Sequence, residues 1–142
     1  MSLIQTYLTF NGNCREAMTF YQQCLGGELQ LQTVGESPIA DKMPVQMKDF
    51  ILHARLTNGN IVLMGSDMVG EEGLIKGNSV SLMLDCTSEQ EIRNYYAALA
   101  ACGRATHSLE VSFWGALFGD LIDKYGHQWL LYYDCSKNDS RV

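Results

Sequence analysis

Three histidines, His53, His107 and His127, are all the imidazole the chain offers. Imidazole is the side chain best suited to proton transfer near neutral pH and to holding a divalent metal. His53 lies in the run Ile51-Leu52-His53-Ala54-Arg55. A strand period of two puts its side chain on one face with Ile51 and Arg55. There it would bind a substrate or act as a base, or serve as a hydrogen-bonded structural histidine. His107 and His127 fall near expected strand ends or turns and are expected to be exposed. No two histidines have ligand spacing, so a metal site would have to be assembled across the fold. Asp67, Asp85, Glu110, Asp120 and Asp123 each sit near the end of an expected strand, where solvated carboxylates are ordinary. The run Ser112-Phe113-Trp114-Gly115-Ala116-Leu117-Phe118-Gly119 is rich in aromatic residues and broken by glycine. It suits the wall of a ligand pocket, and equally an interface between modules or chains.

Glycine-rich phosphate loops, the G-x-S-x-G nucleophile elbow and H-E-x-x-H are all missing. That lowers the odds of dinucleotide, nucleotide and hydrolase chemistry. The cysteines, Cys14, Cys24, Cys86, Cys102 and Cys135, are odd in number and contain no C-x-x-C pair. They read as reduced, small apolar residues rather than a disulfide framework or zinc knuckle. Asn138-Asp139-Ser140 spells a glycosylation sequon, without a secretory signal to give it weight.

The elements that must position these residues repeat along the chain. One amphipathic helix is predicted from about Asn13 to Leu25. Asn13 and Glu16 form a capping box, Ala17, Phe20, Tyr21, Cys24 and Leu25 form a buried stripe, and Gly26-Gly27 is the stop. A second is predicted from about Ser88 to Cys102, with Ser88 and Glu91 as the box, Ile92, Tyr95, Tyr96, Leu99 and Ala100 as the stripe, and Gly103 as the stop. The matching positions are offset by 75 residues, about half the chain. Strand-like runs precede the helices at 3–10 and 79–85. Three follow each helix: 28–34, 50–57 and 61–65, then 104–111, 116–123 and 128–133. Asn58-Gly59 and Tyr125-Gly126 read as turns. The loops 36–49, holding Pro38 and Pro44, and 66–78, holding three glycines, suit lids or plain connectors.

Each half is thus strand, helix, then three strands. The fold class expected is α+β: two tandem βαβββ modules, about 1–68 and 78–135, within one domain spanning 1–142. Their sheets, or sheets from two chains, would form a curved mixed-sheet cleft. At 142 residues the chain is long enough to fold without disulfides or a structural metal. Its net charge of −6, with lysines and arginines scattered singly, disfavours nucleic acid and anionic membranes as partners. No apolar run reaches the roughly 18 residues of a membrane helix. Met1-Ser2-Leu3-Ile4-Gln5 lacks the basic segment and apolar core of a signal peptide, so a cytoplasmic protein is expected.

The duplicated module resembles the vicinal oxygen chelate superfamily, which includes glyoxalase I, bleomycin resistance proteins and extradiol dioxygenases. Three runs look like its PhnB-like branch: Tyr7 to Ala17 (YLTFNGNCREA), His53-Ala54-Arg55-Leu56, and Phe113 through Phe118-Gly119 to Trp129, which contains DKYGHQW. Such domains have also been labelled demethylubiquinone methyltransferase-like. A methyltransferase with an S-adenosyl cofactor would want a glycine-rich loop after a strand, which this chain does not have. Glyoxalase-like members hold one divalent metal through His, Glu, His and Glu on four strands. The resemblance carries those positions onto Gln5, Leu63, Ser79 and Leu130. Leucine donates nothing, and an amide with a hydroxyl will not hold a transition metal. The expectation is therefore no metal and no cofactor, with Gln5, Tyr7, His53, Arg55, Ser79, Phe113 and Trp114 lining a ligand-binding cleft. A shifted metal site using His53 with Asp67 or Glu110 is the alternative. A phosphonate ligand would want clustered basic residues, and only Arg55 is so placed.

Three readings follow. The chain binds a small organic molecule without metal, as bleomycin resistance proteins do, typically as homodimers. Alternatively it is a metal-dependent lyase, isomerase or dioxygenase of the glyoxalase type with a displaced site. Or its fold serves only dimerisation.

Overall fold

The structure, a computed structural model, describes residues 1–136, and the sequon lies outside them. The chain divides into two compact units, Met1–Ile75 and Lys76–Val142. The first holds β1 (Thr6–Thr9), α1 (Cys14–Leu25), β2 (Glu28–Thr33), β3 (Ile51–Asn58) and β4 (Ile61–Ser66). The second holds β5 (Ser81–Cys86), α2 (Glu89–Ala100), β6 (Arg104–Val111), β7 (Ala116–Ile122) and β8 (Gln128–Asp134). The sheet orders are β1-β4-β3-β2 and β5-β8-β7-β6, the same order twice. In each sheet the first pair is parallel and the others antiparallel. Both ends of α2 lie 75 residues after those of α1. The fold is α+β, built from two βαβββ modules.

In each unit one sheet face is covered by the helix and the other is open. In the first, α1 buries Cys14, Ala17, Met18, Tyr21 and Leu25. Beneath it lie Ala54, Leu56 and Leu63 of the sheet. In the second, Ile92 and Leu99 of α2 are buried over Leu84, Leu121, Trp129 and Leu131. Burial pushes the thiols of Cys14 and Cys86 up to about 12, with nearby carboxylates adding to the effect, so neither is a nucleophile.

The helix starts differ from one another. Ser88 accepts from the Glu91 amide at 3.1 Å, and the Glu91 carboxylate reaches back to the Thr87 amide at 3.0 Å. That is the expected box, displaced by one residue on its return arm. Asn13, by contrast, makes no side-chain cap bond. A distant carboxylate replaces it: Asp67 Oδ1 accepts from the amides of Gly12 and Cys14, both at 2.9 Å. Its Oδ2 accepts from the Ile51 amide at 2.8 Å. Asp67 is therefore no solvated strand-end acid but a 3% exposed tie between the β1–α1 turn and the start of β3. At the helix ends, Gly26 takes a left-handed φ of 76° as expected, while the equivalent φ of 61° belongs to Cys102 rather than Gly103. Gly103 is needed for another reason: a Cβ there would overlap the Ile122 carbonyl.

Asp123 plays the corresponding part in the second unit, at 2% exposure. Its carboxylate accepts from the amides of Tyr125 at 2.8 Å and His127 at 3.1 Å, and from Trp129 Nε1 at 2.8 Å. This closes the β7–β8 turn. His127 was expected to be exposed, but its side chain is 15% accessible because the turn folds it against Asp123.

Two outcomes test this framework. Asp67→Ala leaves three N–H groups, two of them buried, without their acceptor and should cost about 3 kcal/mol in urea unfolding at neutral pH. The second concerns His127, where burial and Lys76 outweigh the Asp123 charge and hold the imidazole below its ordinary value of 6.5. A depressed folded value means the unfolded chain takes up the proton first. Stability is then fully present above about pH 6.5 and is lost as pH falls through the folded value. The fall should flatten in His127→Gln, measured by urea midpoints at stepped pH.

Candidate functional site

The open face of the first sheet carries three of the expected site residues together. Register sets Tyr7 opposite Met64 and Met64 opposite Arg55. The Tyr7 hydroxyl lies 3.2 Å from His53 Nδ1, with ring centroids 5.8 Å apart. Arg55 Nη1 points at the Met64 sulfur at 3.6 Å, a weak acceptor. His53 and Arg55 share a face as expected, but Ile51 does not join them. Gln32 pairs with His53 and Thr33 with Ile51, so Leu52 is an extra residue in β3. This bulge leaves Ile51 fully buried while His53 stays partly open. Gln5 is exposed and precedes β1.

The open face of the second sheet holds a cavity of about 300 Å³. Arg104, Thr106, His107, Asp120 and Gln128 supply its polar wall, and Ile122 and Leu130 lie among them. His107 is not at a strand end but inside β6 and opposite Asp120. Its Nδ1 lies 2.9 and 3.0 Å from the two Asp120 carboxylate oxygens. The carboxylate accepts, so Nδ1 carries a proton, and in the neutral ring Nε2 is an acceptor.

Sequence reasoning did not find this cluster, because Arg104 and His107 are three residues apart. A regular strand would send them to opposite faces. The register runs Arg104 to Ile122, then His107 to Asp120, so β6 spends three residues where β7 spends two. That extra residue brings both side chains to one wall. Two residues make room for it. A Cβ at position 119 would stand 2.9 Å from Leu109 Cδ2 and 3.0 Å from the His107 carbonyl, so anything larger than glycine would push on the irregular strand. From α2, the Tyr96 hydroxyl donates to the carbonyls of His107 at 2.8 Å and Asp120 at 2.9 Å. Burial, then the Asp120 charge, pushes the Tyr96 phenol above its ordinary value of 10, which keeps it a donor. Gly119 within the aromatic run was the one visible signal.

The remaining expected residues lie elsewhere in the second unit. Ser79 precedes β5, and its neighbour Ser81 lines the cavity instead. Phe113 and Trp114 cap the β6–β7 hairpin at 97% and 55% exposure, packed edge to face with centroids 4.8 Å apart. They do not line the cavity.

The positions that a superfamily metal would use do not fit one. Leu63 pairs with Leu56 on the helix-covered face, one residue out of register with the open-face neighbours Val62 and Met64. Leu130 does face the open side, between Met83 and Asp120. Gln5, Leu63, Ser79 and Leu130 supply no imidazole, carboxylate or thiolate. Asp67, one arm of the shifted alternative, already accepts three amide bonds. Among the described residues no three His, Cys, Asp or Glu side chains converge.

A model of the family described as 3-demethylubiquinone-9 3-methyltransferase matches residues 2–132. Protein YjdN of Escherichia coli (strain K12) is 29% identical over 138 residues, 90% of this chain and 92% of YjdN. The crystal structure of protein PA1353 from Pseudomonas aeruginosa is 38% identical, with a TM-score of 0.81 over 94% of this chain and 98% of that one. A putative 3-demethylubiquinone-9 3-methyltransferase, PhnB protein, from Bacillus cereus is 26% identical, with a TM-score of 0.71 over 93% and 99%. The fold alone recurs, at 14% identity and a TM-score of 0.58 over 91% and 97%, in a glyoxalase/bleomycin resistance protein/dioxygenase family enzyme from Burkholderia phytofirmans.

The support beneath the His107–Asp120 pair is open to test. Tyr96→Phe should cost about 1 kcal/mol of stability by removing the donor to two carbonyls. Gly119→Ala should cost about 1–3 kcal/mol by overpacking. Both should shift the hydrogen-bonded His107 ring-nitrogen signals in nitrogen-edited NMR spectra, with Gly119→Ala the more severe. An unchanged signal in both variants would separate the pair from its support.

Proposed function

The chain belongs to the family described as 3-demethylubiquinone-9 3-methyltransferase, the PhnB-like branch of the vicinal oxygen chelate superfamily, and from that premise we propose that it binds a small organic molecule on an open sheet face without the superfamily's metal. One observation carries this reading. The sheet position where a metal donor is expected holds Leu130, in a cavity whose polar wall is made of hydrogen-bonding side chains. A site of this kind, apolar floor with a few directed polar groups, selects an organic ligand by shape and hydrogen bonds. The volume of about 300 Å³ lies at the lower end of the usual range, which suits a small ligand. Tyr7, His53 and Arg55 on the first sheet supply a second polar face of the same character.

The methyl transfer in the family's description supports no step here. Each unit is a four-stranded mixed sheet with one helix. Nucleotide-type cofactors are gripped at a glycine-rich turn between a parallel strand and a helix. The turn between β1 and α1 holds Gly12, but its amide is already given to Asp67. The reading includes a homodimer, as in the bleomycin resistance proteins the chain resembles. No helix is long and apolar enough to cross a membrane, and the partner proposed is a small molecule.

Metal titration of the stripped protein is the decisive measurement. Zn, Mn, Ni and Fe(II) should leave the melting temperature unchanged and stay below stoichiometric occupancy, while the sample sediments at twice the chain mass. A ligand of the native state at 100 times its Kd would add about 2.7 kcal/mol, so a true metal site could not escape notice. One tightly held ion per chain would overturn the reading in favour of a metal-dependent lyase, isomerase or dioxygenase.

A further inference from the structure

Arg104 is the starting point. Its guanidinium lines the second unit's cavity and makes no hydrogen bond or ion pair among the described residues. Such a group keeps five N–H donors in a rigid fork without an acceptor. Beside it, His107 has one ring nitrogen committed to Asp120 and one uncommitted. Thr106 lies between them in sequence and also faces the cavity. Ile122, paired with Arg104 across the strands, and Leu130, paired with Asp120, supply the apolar part of the wall.

We propose that this cavity is a site for a small organic acid, its carboxylate clasped by Arg104 and its body resting on Ile122 and Leu130. This deepens the metal-free binding reading and rests on it. The fork of a guanidinium matches the two oxygens of a carboxylate, with two parallel N–H···O bonds. The charges nearby favour a monoanion over a dianion. One guanidinium compensates one negative charge, and Asp120 in the same wall repels a second. His107 Nε2 then meets a hydroxyl or amide donor on the ligand. Asp120 is a positioning residue, since it fixes which ring nitrogen bears the proton. A purely hydrocarbon ligand would leave the Arg104 fork facing it without an acceptor, so the site discriminates against one.

The test uses the full chain and two probes of one shape, benzoate and benzamide, followed by nitrogen- and carbon-edited NMR. Benzoate should shift the Arg104 Nε–H and His107 ring signals saturably, and benzamide should bind at least about tenfold more weakly. Arg104→Gln should lose about tenfold in benzoate affinity, and Arg104→Lys should recover only part of it, because an ammonium lacks the fork. Arg104 is exposed, so neither variant threatens folding. Equal binding of both probes, or an Arg104→Gln variant that binds benzoate undiminished, would overturn the acid assignment and leave metal-free binding standing. Inorganic phosphate binding more tightly than benzoate would overturn the monoanion preference. Failure of the broader reading looks different: one bound metal ion per chain, with the shifts centred on the metal rather than on Arg104.

Discussion

A carboxylate withdrawn from water is tolerable only where N–H donors replace its lost hydration, and each unit contains one. Asp67 accepts from three amides, Asp123 from two amides and an indole. Charge-assisted bonds of this kind are roughly twice as strong as neutral ones. Their geometric consequence matters more than their strength. Asp67 joins the residues that follow β1 to the first residue of β3, the two strands that bear Tyr7 and His53. Asp123 closes the β7–β8 turn and fixes Trp129 next to Leu130. The register that sets Asp120 opposite Leu130 runs back from that turn. In both units, therefore, a buried acid remote from the open face holds the strands that build it.

The two modules share topology and spacing but reach their open faces by different local irregularities. In β3 the extra residue is Leu52, immediately before His53. In β6 there are two, one between Arg104 and His107 and one between His107 and Glu110. A bulge re-aims the side chains beside it and interrupts the ladder, which leaves backbone carbonyls to be satisfied elsewhere. Tyr96 supplies that satisfaction in the second unit. Each histidine of the open faces thus sits beside a break in regular pairing, which sets its direction independently of strand parity.

Much of this architecture was legible in the sequence. The helix positions, their 75-residue offset and the strand runs came from periodicity, because burial of one face imposes a period directly. Of the expected stripes, though, Phe20, Cys24, Tyr95, Tyr96 and Ala100 are only half-buried, and Met18 is buried in addition. Strand β6 matched its expected range of 104–111, and α1 and α2 differed by only one or two residues at an end. The parts that were not legible depend on partners far along the chain. Asn13 has the chemistry of a cap, yet Asp67, 53 residues beyond Cys14, outcompetes it. Gly103 looks like a helix stop, but its small size is demanded by the Ile122 carbonyl of a neighbouring strand. Leu63 lies on the helix-covered face while Val62 and Met64 point the other way, and in a strand one residue is the difference between the two faces. The candidate site was half legible. Tyr7, His53 and Arg55 meet as strand parity implies. Arg104 and His107 meet only because parity fails, and no local pattern marks where a bulge will fall.

The same alternation explains how one scaffold hosts different chemistries. A side chain on the open face touches neither helix nor core, so exchanging it leaves α1 or α2 packed as before. Metal donors on such a face are held by the scaffold and contribute nothing to it. Leu130 lies between Trp129 and Leu131, which are the buried ones, so an exchange at 130 leaves the packed face undisturbed. A ligand on that face must satisfy the polar groups there. In the second unit Arg104 remains without an acceptor and His107 with a spare ring nitrogen, while Asp120 is already engaged. The uncommitted guanidinium is what suits this face to an anion. The fold fixes where a ligand sits, and the balance of donors and acceptors on the open face decides its charge.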